Sequence, residues 1–117
     1  MTSIVARIAR ALPKPECRQP LEEPEYLDVA GRVADIFAVG RANELQAFFE
    51  ALETAYIGPL DEADSNALSE GLMESILFSI DHLGIDAQSV YSNLLPHSRH
   101  VWEDVWPYVH DSPWPSA

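Results

Sequence analysis

The 117-residue sequence predicts an all-α protein, a compact bundle or short helical-repeat-like array of about five to six helices. Two observations predict it. Apolar residues recur at spacings of three and four along most of the chain, the period of a helix with one buried face. No sustained alternation of apolar and polar residues occurs, and no Asn-Gly or Asp-Gly pair marks a hairpin. A chain of this length buries enough surface to hold a core without metal or disulfide support. Its 47% apolar and 9% aromatic content lies well away from disordered compositions.

Near the N-terminus, Ile4, Val5, Ile8 and Leu12 share one helical face while Arg7, Arg10 and Lys14 occupy the others. The helix, expected from Thr2 to Leu12, stops at Pro13 and Pro15. Its predicted place is against the acidic remainder of the chain or against a partner. Residues 13–24 carry four prolines and read as an extended connector. The chain is thus expected to divide into a basic amphipathic helix with its connector, 1–23, and an acidic helical domain, 24–117.

The second helix is expected from Pro24, a residue suited to a first turn, with Glu22, Glu23 and Glu25 near the positive end of its dipole. Tyr26, Val29, Ala30, Val33 and Phe37 form its inward stripe, and Gly40 ends it. A third helix over 43–56 turns Leu45, Phe48, Phe49, Leu52 and Tyr56 inward and Glu50 outward, closing at Gly58 and Pro59. The fourth, over 61–83, is the longest and the expected centre of the core. It opens on Asp61, Glu62 and Asp64 and ends at the natural cap Gly84. Leu68, Leu72, Ile76, Ile80 and Leu83, widened by Met73 and Leu77, make its stripe, with Glu70, Glu74 and Asp81 opposite. A short helix over 86–94 is capped by Asp86. The last spans 97–106, with Ser98 as its cap and Pro107 as its stop. The tail 111–117 is expected to be irregular, and Trp114 is either packed back or the exposed anchor of a partner.

Charge is the most distinctive bulk property: 19 acidic against 7 basic residues, a formal net charge of −12. The basic residues Arg7, Arg10, Lys14 and Arg18 cluster in the first eighteen positions, and only Arg32, Arg41 and Arg99 come after them. The body is therefore a polyanion, which repels phosphate backbones and steers basic proteins toward it. Direct nucleic-acid binding is disfavoured. Arg7 and Arg10 interrupt any secretory apolar core, and no run reaches the ~18 apolar residues of a membrane span. With the single cysteine Cys17 unable to form an internal bridge, the cytoplasm is the expected compartment.

Across 45–106, Phe48, Phe49, Glu50 and Leu52 in the third helix, Gly71, Leu72, Met73, Glu74 and Ile76 in the fourth, and Leu95-Pro96-His97-Ser98 followed by Trp102 carry a resemblance. The pattern resembles a family of small bacterial helical proteins of unassigned function, suspected of being immunity proteins encoded beside toxins. The resemblance implies a cytoplasmic protein that neutralises a toxin domain by covering its surface, and it implies no catalytic residues.

Tested for chemistry, the chain offers little. His97, His100 and Asp104 share helical spacing and could begin a zinc site, but no His-Glu-x-x-His pattern accompanies them. The serines sit in no Gly-x-Ser-x-Gly elbow, and no Gly-rich phosphate loop is present. Paired carboxylates such as Glu70 and Glu74 read as a solvated face. No enzyme activity, cofactor or metal is expected. The partner surface is assigned to Asp61, Glu62, Asp64, Glu70 and Glu74, with Trp114 as a desolvated anchor. Trp102 and Trp106, one turn apart, are expected in the core. The leading expectation is an immunity protein that binds a basic toxin domain. The alternatives are a helical scaffold or adaptor and, third, a small metal-binding enzyme built on His97, His100 and Asp104.

Overall fold

The computed structural model describes residues 4–13 and 26–115. The connector after Pro13 with Cys17, the glutamates Glu22, Glu23 and Glu25, and the boundary at 23/24 lie outside the described residues. Among the described residues every regular element is helical. Helix α1 is Ile4–Ala9, α2 is Tyr26–Ala38, and α3 is Gln46–Ile57, entered through a 3₁₀ turn at Ala42–Leu45. The long helix α4 runs Glu62–Asn66, widens into a π stretch at Ala67–Met73 and continues as Glu74–Leu83. Helix α5 is Ala87–Asn93 and α6 is Pro96–His110. The Cα atoms span 38 × 35 × 20 Å, and the short dimension is about two helix diameters.

Helix α1 exists because its apolar face has somewhere to go. Ile4, Val5, Ile8 and Leu12 are buried, packed with residues of α2, α3 and the π stretch, while Arg7 and Arg10 stay exposed. Six residues would not hold a helix alone in water, so tertiary burial holds this one. Helix α2 buries Val29, Ala30, Val33 and Ala34, and α3 buries Phe48, Phe49 and Leu52, with Leu45 just before it. Phe49 meets Phe37 of α2 in a tilted contact at 6.3 Å between centroids, which joins the two helices, and its neighbour Phe48 edge-on at 5.7 Å.

Both long stretches stop at a glycine in the left-handed conformation, which lacks the Cβ that would clash there. At Gly40 (φ 76°), Gly40 N–H donates to Phe37 O and Arg41 N–H to Ile36 O; at Gly84 (φ 68°), Gly84 N–H donates to Asp81 O and Ile85 N–H to Ile80 O. Each pair of bonds satisfies carbonyls that the helix end would otherwise orphan. Asp61 caps the start of α4 by accepting from Asp64 N–H at 2.7 Å, and Asp86 caps α5 through Gln88 N–H at 3.3 Å.

The sequence pattern predicts an uninterrupted fourth helix, and the π stretch in α4 departs from that expectation. It is the crossroads of the fold, in contact with α1, α2 and α6. Two side chains reach it. Tyr56 on α3 donates its hydroxyl to the Leu68 carbonyl at 2.9 Å, and Tyr26 at the start of α2 lays its ring on Gly71. From there α2 proceeds alongside Glu74–Leu83, so the two run in the same sense. The wide turn adds a residue to the helix and rotates the residues beyond it about the axis. Leu68, Leu72, Met73, Ile76, Leu77 and Ile80 are all buried as a result of neighbours on both flanks. Leu83, expected to complete the stripe, is exposed instead because it closes the last turn beyond those neighbours.

Helix α6 corrects two further expectations. Pro107 lies inside it and does not end it; the helix reaches His110 before Asp111 turns left-handed (φ 55°). Proline removes one hydrogen bond, to Glu103 O, and its ring crowds that carbonyl, yet the helix continues for three residues beyond it. Ser98 is not the cap either: it sits in the first turn and is itself buried.

A Cβ added at Gly71 would lie 2.8 Å from Cε1 and Cζ of Tyr26, a ring that is 41% exposed and can swing aside, so Gly71→Ala is expected to lose that contact against a helix-propensity gain of about 1 kcal/mol and to be less favourable than in a background without the ring. In a Tyr26→Ala background the obstruction is gone. There the same change should be neutral or stabilising, because alanine is the better helix former by about 1 kcal/mol. Urea denaturation of the four proteins of this cycle measures the coupling, and equal effects in both backgrounds would refute the packing role of Gly71.

Candidate functional site

The most highly organised polar cluster of the molecule joins α3 to α6. Glu53 follows Leu52 on α3, four residues after Phe49 and three before Tyr56, so the helical period carries it into the flank of the apolar arc. There it is 7% exposed, the one acidic side chain among the described residues that is buried. It meets the first turn of α6. Leu95, at the capping position, has no side-chain acceptor, and Pro96 has no N–H, which leaves the N–H groups of His97 and Ser98 to be satisfied. Both donate to Glu53: His97 N–H to Oε2 at 2.9 Å and Ser98 N–H to Oε1 at 2.8 Å. The Ser98 hydroxyl adds a bond to Oε1 at 2.9 Å, and His97 Nδ1 lies 3.0 Å from Oε2. With a carboxylate as its neighbour, Nδ1 is the nitrogen that carries the proton.

Burial pushes the Glu53 carboxyl toward a higher pKa. The backbone N–H groups of His97 and Ser98, then their side chains, outweigh it and hold the group below the usual carboxylate value. A carboxylate has about four lone-pair positions, and four contacts fill them here. Glu53 therefore has no vacant position for a substrate proton: it is a helix cap supplied by another helix. Tyr56, one turn further on, has its phenol pushed well above the ordinary value by burial, with the charge of Glu53 acting in the same direction.

The second cluster is aromatic. Trp102 is fully buried, and around it stand Tyr91 at 6.0 Å, Trp106 at 5.8 Å and Trp114 at 5.4 Å between ring centroids. Trp114 also lies 4.5 Å from Trp106 and 4.9 Å from Tyr91. It is therefore not the exposed anchor: the tail packs it back over the cluster, and the most exposed aromatic among the described residues is Tyr108, 83% exposed. Arg99 places its guanidinium 5.3 Å from the Tyr91 ring centre and donates to Ser92 O.

The residues assigned to a partner surface stand along α4. Asp61, Glu62 and Glu70 are exposed, whereas Asp64 and Glu74 are half-buried. Asp61 is engaged as a cap. No hydrogen bond or ion pair holds the side chains of Glu62, Asp64, Glu70 or Glu74 to another described residue. His97, His100 and Asp104 do not assemble: His97 faces Glu53, and His100 Nδ1 lies 3.7 Å from Glu103 Oε2. Among the described residues no three His, Cys, Asp or Glu side chains are grouped so as to hold a metal ion. No helix of the described residues is long and apolar enough to cross a membrane.

Glu53 was missed by sequence reasoning, although its spacing from Phe49 and Tyr56 carried the signal of a carboxylate inside an apolar arc. Comparison with known proteins gives no match: neither a family model, nor a curated protein, nor a solved structure is similar to this chain.

Because the folded pKa of Glu53 is depressed, its contribution to stability is present above the unfolded carboxyl value, about 4.3, and is lost as pH falls through the folded value. Glu53→Ala should cost about 1–3 kcal/mol at neutral pH, since it strands the buried N–H and hydroxyl of Ser98 and the part-buried N–H of His97. Glu53→Gln keeps one acceptor oxygen and should cost less. Both variants should show a shallower stability loss between about pH 5 and pH 2 than the parent. Thermal melts across that range test this; a parent-like acid slope in Glu53→Gln would rule out the cap as its source.

Proposed function

We propose that the protein is a cytoplasmic immunity, antitoxin-like protein that binds a basic toxin domain and neutralises it by occluding its surface. The observation that carries this reading is the partition of the carboxylates. Among the described residues Glu53 alone is buried, and every other acidic side chain is wholly or partly exposed on a closed helical core. Folding thus buries one carboxylate among the described residues and leaves the others at the surface of a chain whose formal net charge is −12.

Glu62, Asp64, Glu70 and Glu74, which have no described internal partner, supply the part of that charge most available to arginine and lysine of another protein. Such a surface accelerates encounter and selects partners by charge. Affinity needs apolar anchors as well. Ile57 stands exposed one loop before the Asp61 cap, and Tyr108 is the exposed aromatic of α6. The acidic surface also imitates the charge of nucleic acid, which suits occlusion of a nuclease-like cleft.

Co-expression with the toxin domain encoded beside it should restore growth, and calorimetry should show affinity falling at least about tenfold between 50 and 500 mM salt. Glu62→Lys with Glu70→Lys, which disturbs no described internal contact, should slow association by about tenfold while leaving the thermal melt in place. Growth that is not restored, or an affinity indifferent to salt, would reject the reading.

A further inference from the structure

Helix α2 and the second half of α4 lie side by side in the same sense, and their outer face gathers most of the apolar groups left in solvent. Of the large apolar side chains exposed among the described residues, Tyr26, Leu27, Val39, Phe78 and Leu83 belong to this pair, and Ile57 and Tyr108 stand elsewhere. The neighbours of α4 place them. One flank of α4 receives the Tyr26 ring at Gly71, and another brings Asp81 within 3.2 Å of His110 on α6. Phe78, 52% exposed, lies about two turns beyond Gly71 and opposite the buried Ile76, Leu77 and Ile80, so it stands outside, on the side of α2. On α2, Leu27, Gly31 and Ala38 share the face opposite the buried Val29 and Val33. From the Tyr26–Gly71 contact both helices run on to their ends, α2 at Ala38 and α4 at Leu83, so Val39 and Leu83 close the same end of the face. Its length is about 18 Å, room for about three turns of another helix.

Gly31 is a helical glycine whose presence the chain's own packing does not require. It sits in the middle of α2, where alanine would be the better helix former, and a Cβ added there meets nothing within 4 Å among the described residues. Gly71 has the Tyr26 ring over it, whereas the space over Gly31 is open. Such a position lets another backbone or ring come close to the helix. Charge decides what kind of chain that is. Asp28 and Asp35 border the face on α2 and Glu70, Glu74 and Asp81 border it on α4, while Arg32 is the one arginine or lysine in α2 and the second half of α4. A second copy would set carboxylates against carboxylates, and an anionic lipid surface would meet the same repulsion. A helix with an apolar stripe between lysines and arginines matches both the apolar floor and its acidic edges.

We propose that this face seats a basic amphipathic helix of the protein's partner, with Leu27, Gly31 and Phe78 as its floor. The inference rests on the reading of a basic partner and adds which element of that partner binds, and where. Glu70 and Glu74, already assigned to the partner surface, form one edge of the same face, so attraction by charge delivers the helix beside its apolar seat. Phe78 is the anchor, an aromatic that the core leaves half in solvent and that docking would desolvate. Phe78 lies outside the buried core and Gly31 has open space above it, which lets both be changed without disturbing the core.

Titration of the isotope-labelled full chain with a synthetic peptide of about fourteen residues tests the face. The peptide carries leucines at spacings of three and four and lysines on both flanks, and a second version has glutamates in place of the lysines. The lysine peptide should bind and shift amide resonances of residues 26–39 and 74–83, and the glutamate version should not. Phe78→Glu should weaken binding at least about tenfold although it adds negative charge, and Gly31→Leu, which fills the open space without changing charge, should weaken it by a similar factor. Thermal melts of both variants should stay close to the parent's or rise, leucine being the better helix former at position 31. Binding that is unchanged or tighter in Phe78→Glu, shifts centred on another surface, or no binding at all would overturn the proposal. So would a dimer of the free protein, or its adsorption to anionic vesicles, that Phe78→Glu abolishes, since a second copy or a membrane would then occupy the face. Growth rescue separates this test from the function: rescue that persists undiminished in Phe78→Glu rejects the face alone, whereas rescue that fails in the parent rejects the toxin reading and leaves the peptide result standing.

Discussion

Glu53 ties α3 to the first turn of α6, and that contact settles how the last helix meets the rest of the protein. The chain ahead of α6 offers no cap of its own: Leu95 is apolar and Pro96 lacks a donor. Without Glu53 the buried N–H of Ser98 and the part-buried N–H of His97 would lose their acceptor, at a cost of about 1–3 kcal/mol for an unsatisfied buried donor. A carboxylate suits the position better than an uncharged acceptor, because the helix N-terminus carries partial positive charge. Nor does Glu53 need a buried arginine, whose desolvation would erode the gain. Ser98 and Trp102 are one helical turn apart, so anchoring the first also fixes the register in which Trp102 enters the core and the aromatic cluster assembles.

The π stretch of α4 depends on that same arrangement of helices. With α1 and α2 against it and α6 packed elsewhere on its surface, α4 has to present apolar groups over more of its circumference than a single stripe provides. A wide turn achieves this by shifting the residues after it relative to those before. Tyr56 then binds the Leu68 carbonyl, while Gly71 leaves room for the Tyr26 ring. Gly71 illustrates why a weak helix former persists inside the longest helix: the space over its Cα is occupied by another residue's ring.

Most of the helices were legible because they are amphipathic in the ordinary way. The buried faces of α1, α3 and α4 reflect spacings of three and four, and Gly40, Gly84, Asp61 and Asp86 mark ends where their backbone roles require them. The failures share a physical origin, which is that they were decided by contacts distant in sequence. Glu53 caps a helix 44 residues away, and the π stretch answers to Tyr26 and Tyr56 on two other helices. Pro107 lies within a helix whose last turn carries His110, stacked on Trp106 and beside Asp81 of α4. Ser98 looked like a cap because serine often is one, but the side chain that accepts the N–H groups came from α3. The candidate surface along α4 was read from local acidity alone, and its exposure at Asp61, Glu62 and Glu70 was the part that local sequence could supply.

The distribution of aromatic residues bears on how such a surface would bind. Interface energy concentrates in desolvated aromatic and apolar anchors, yet the three tryptophans here are occupied with one another and with His110. A partner would therefore find its apolar footing on residues the core leaves outside, such as Tyr108, Ile57, Leu27, Val39 and Phe78. These are distributed over α2, α3, α4 and α6 and their ends, whereas Glu62, Asp64, Glu70 and Glu74, which have no internal partner among the described residues, lie along α4. Under the proposed function, charge would supply rate and selectivity from one helix and exposed apolar contacts would supply residence time. This division fits a protein that must capture a basic target quickly, because steering acts before any close contact forms and requires no rearrangement of the helical core.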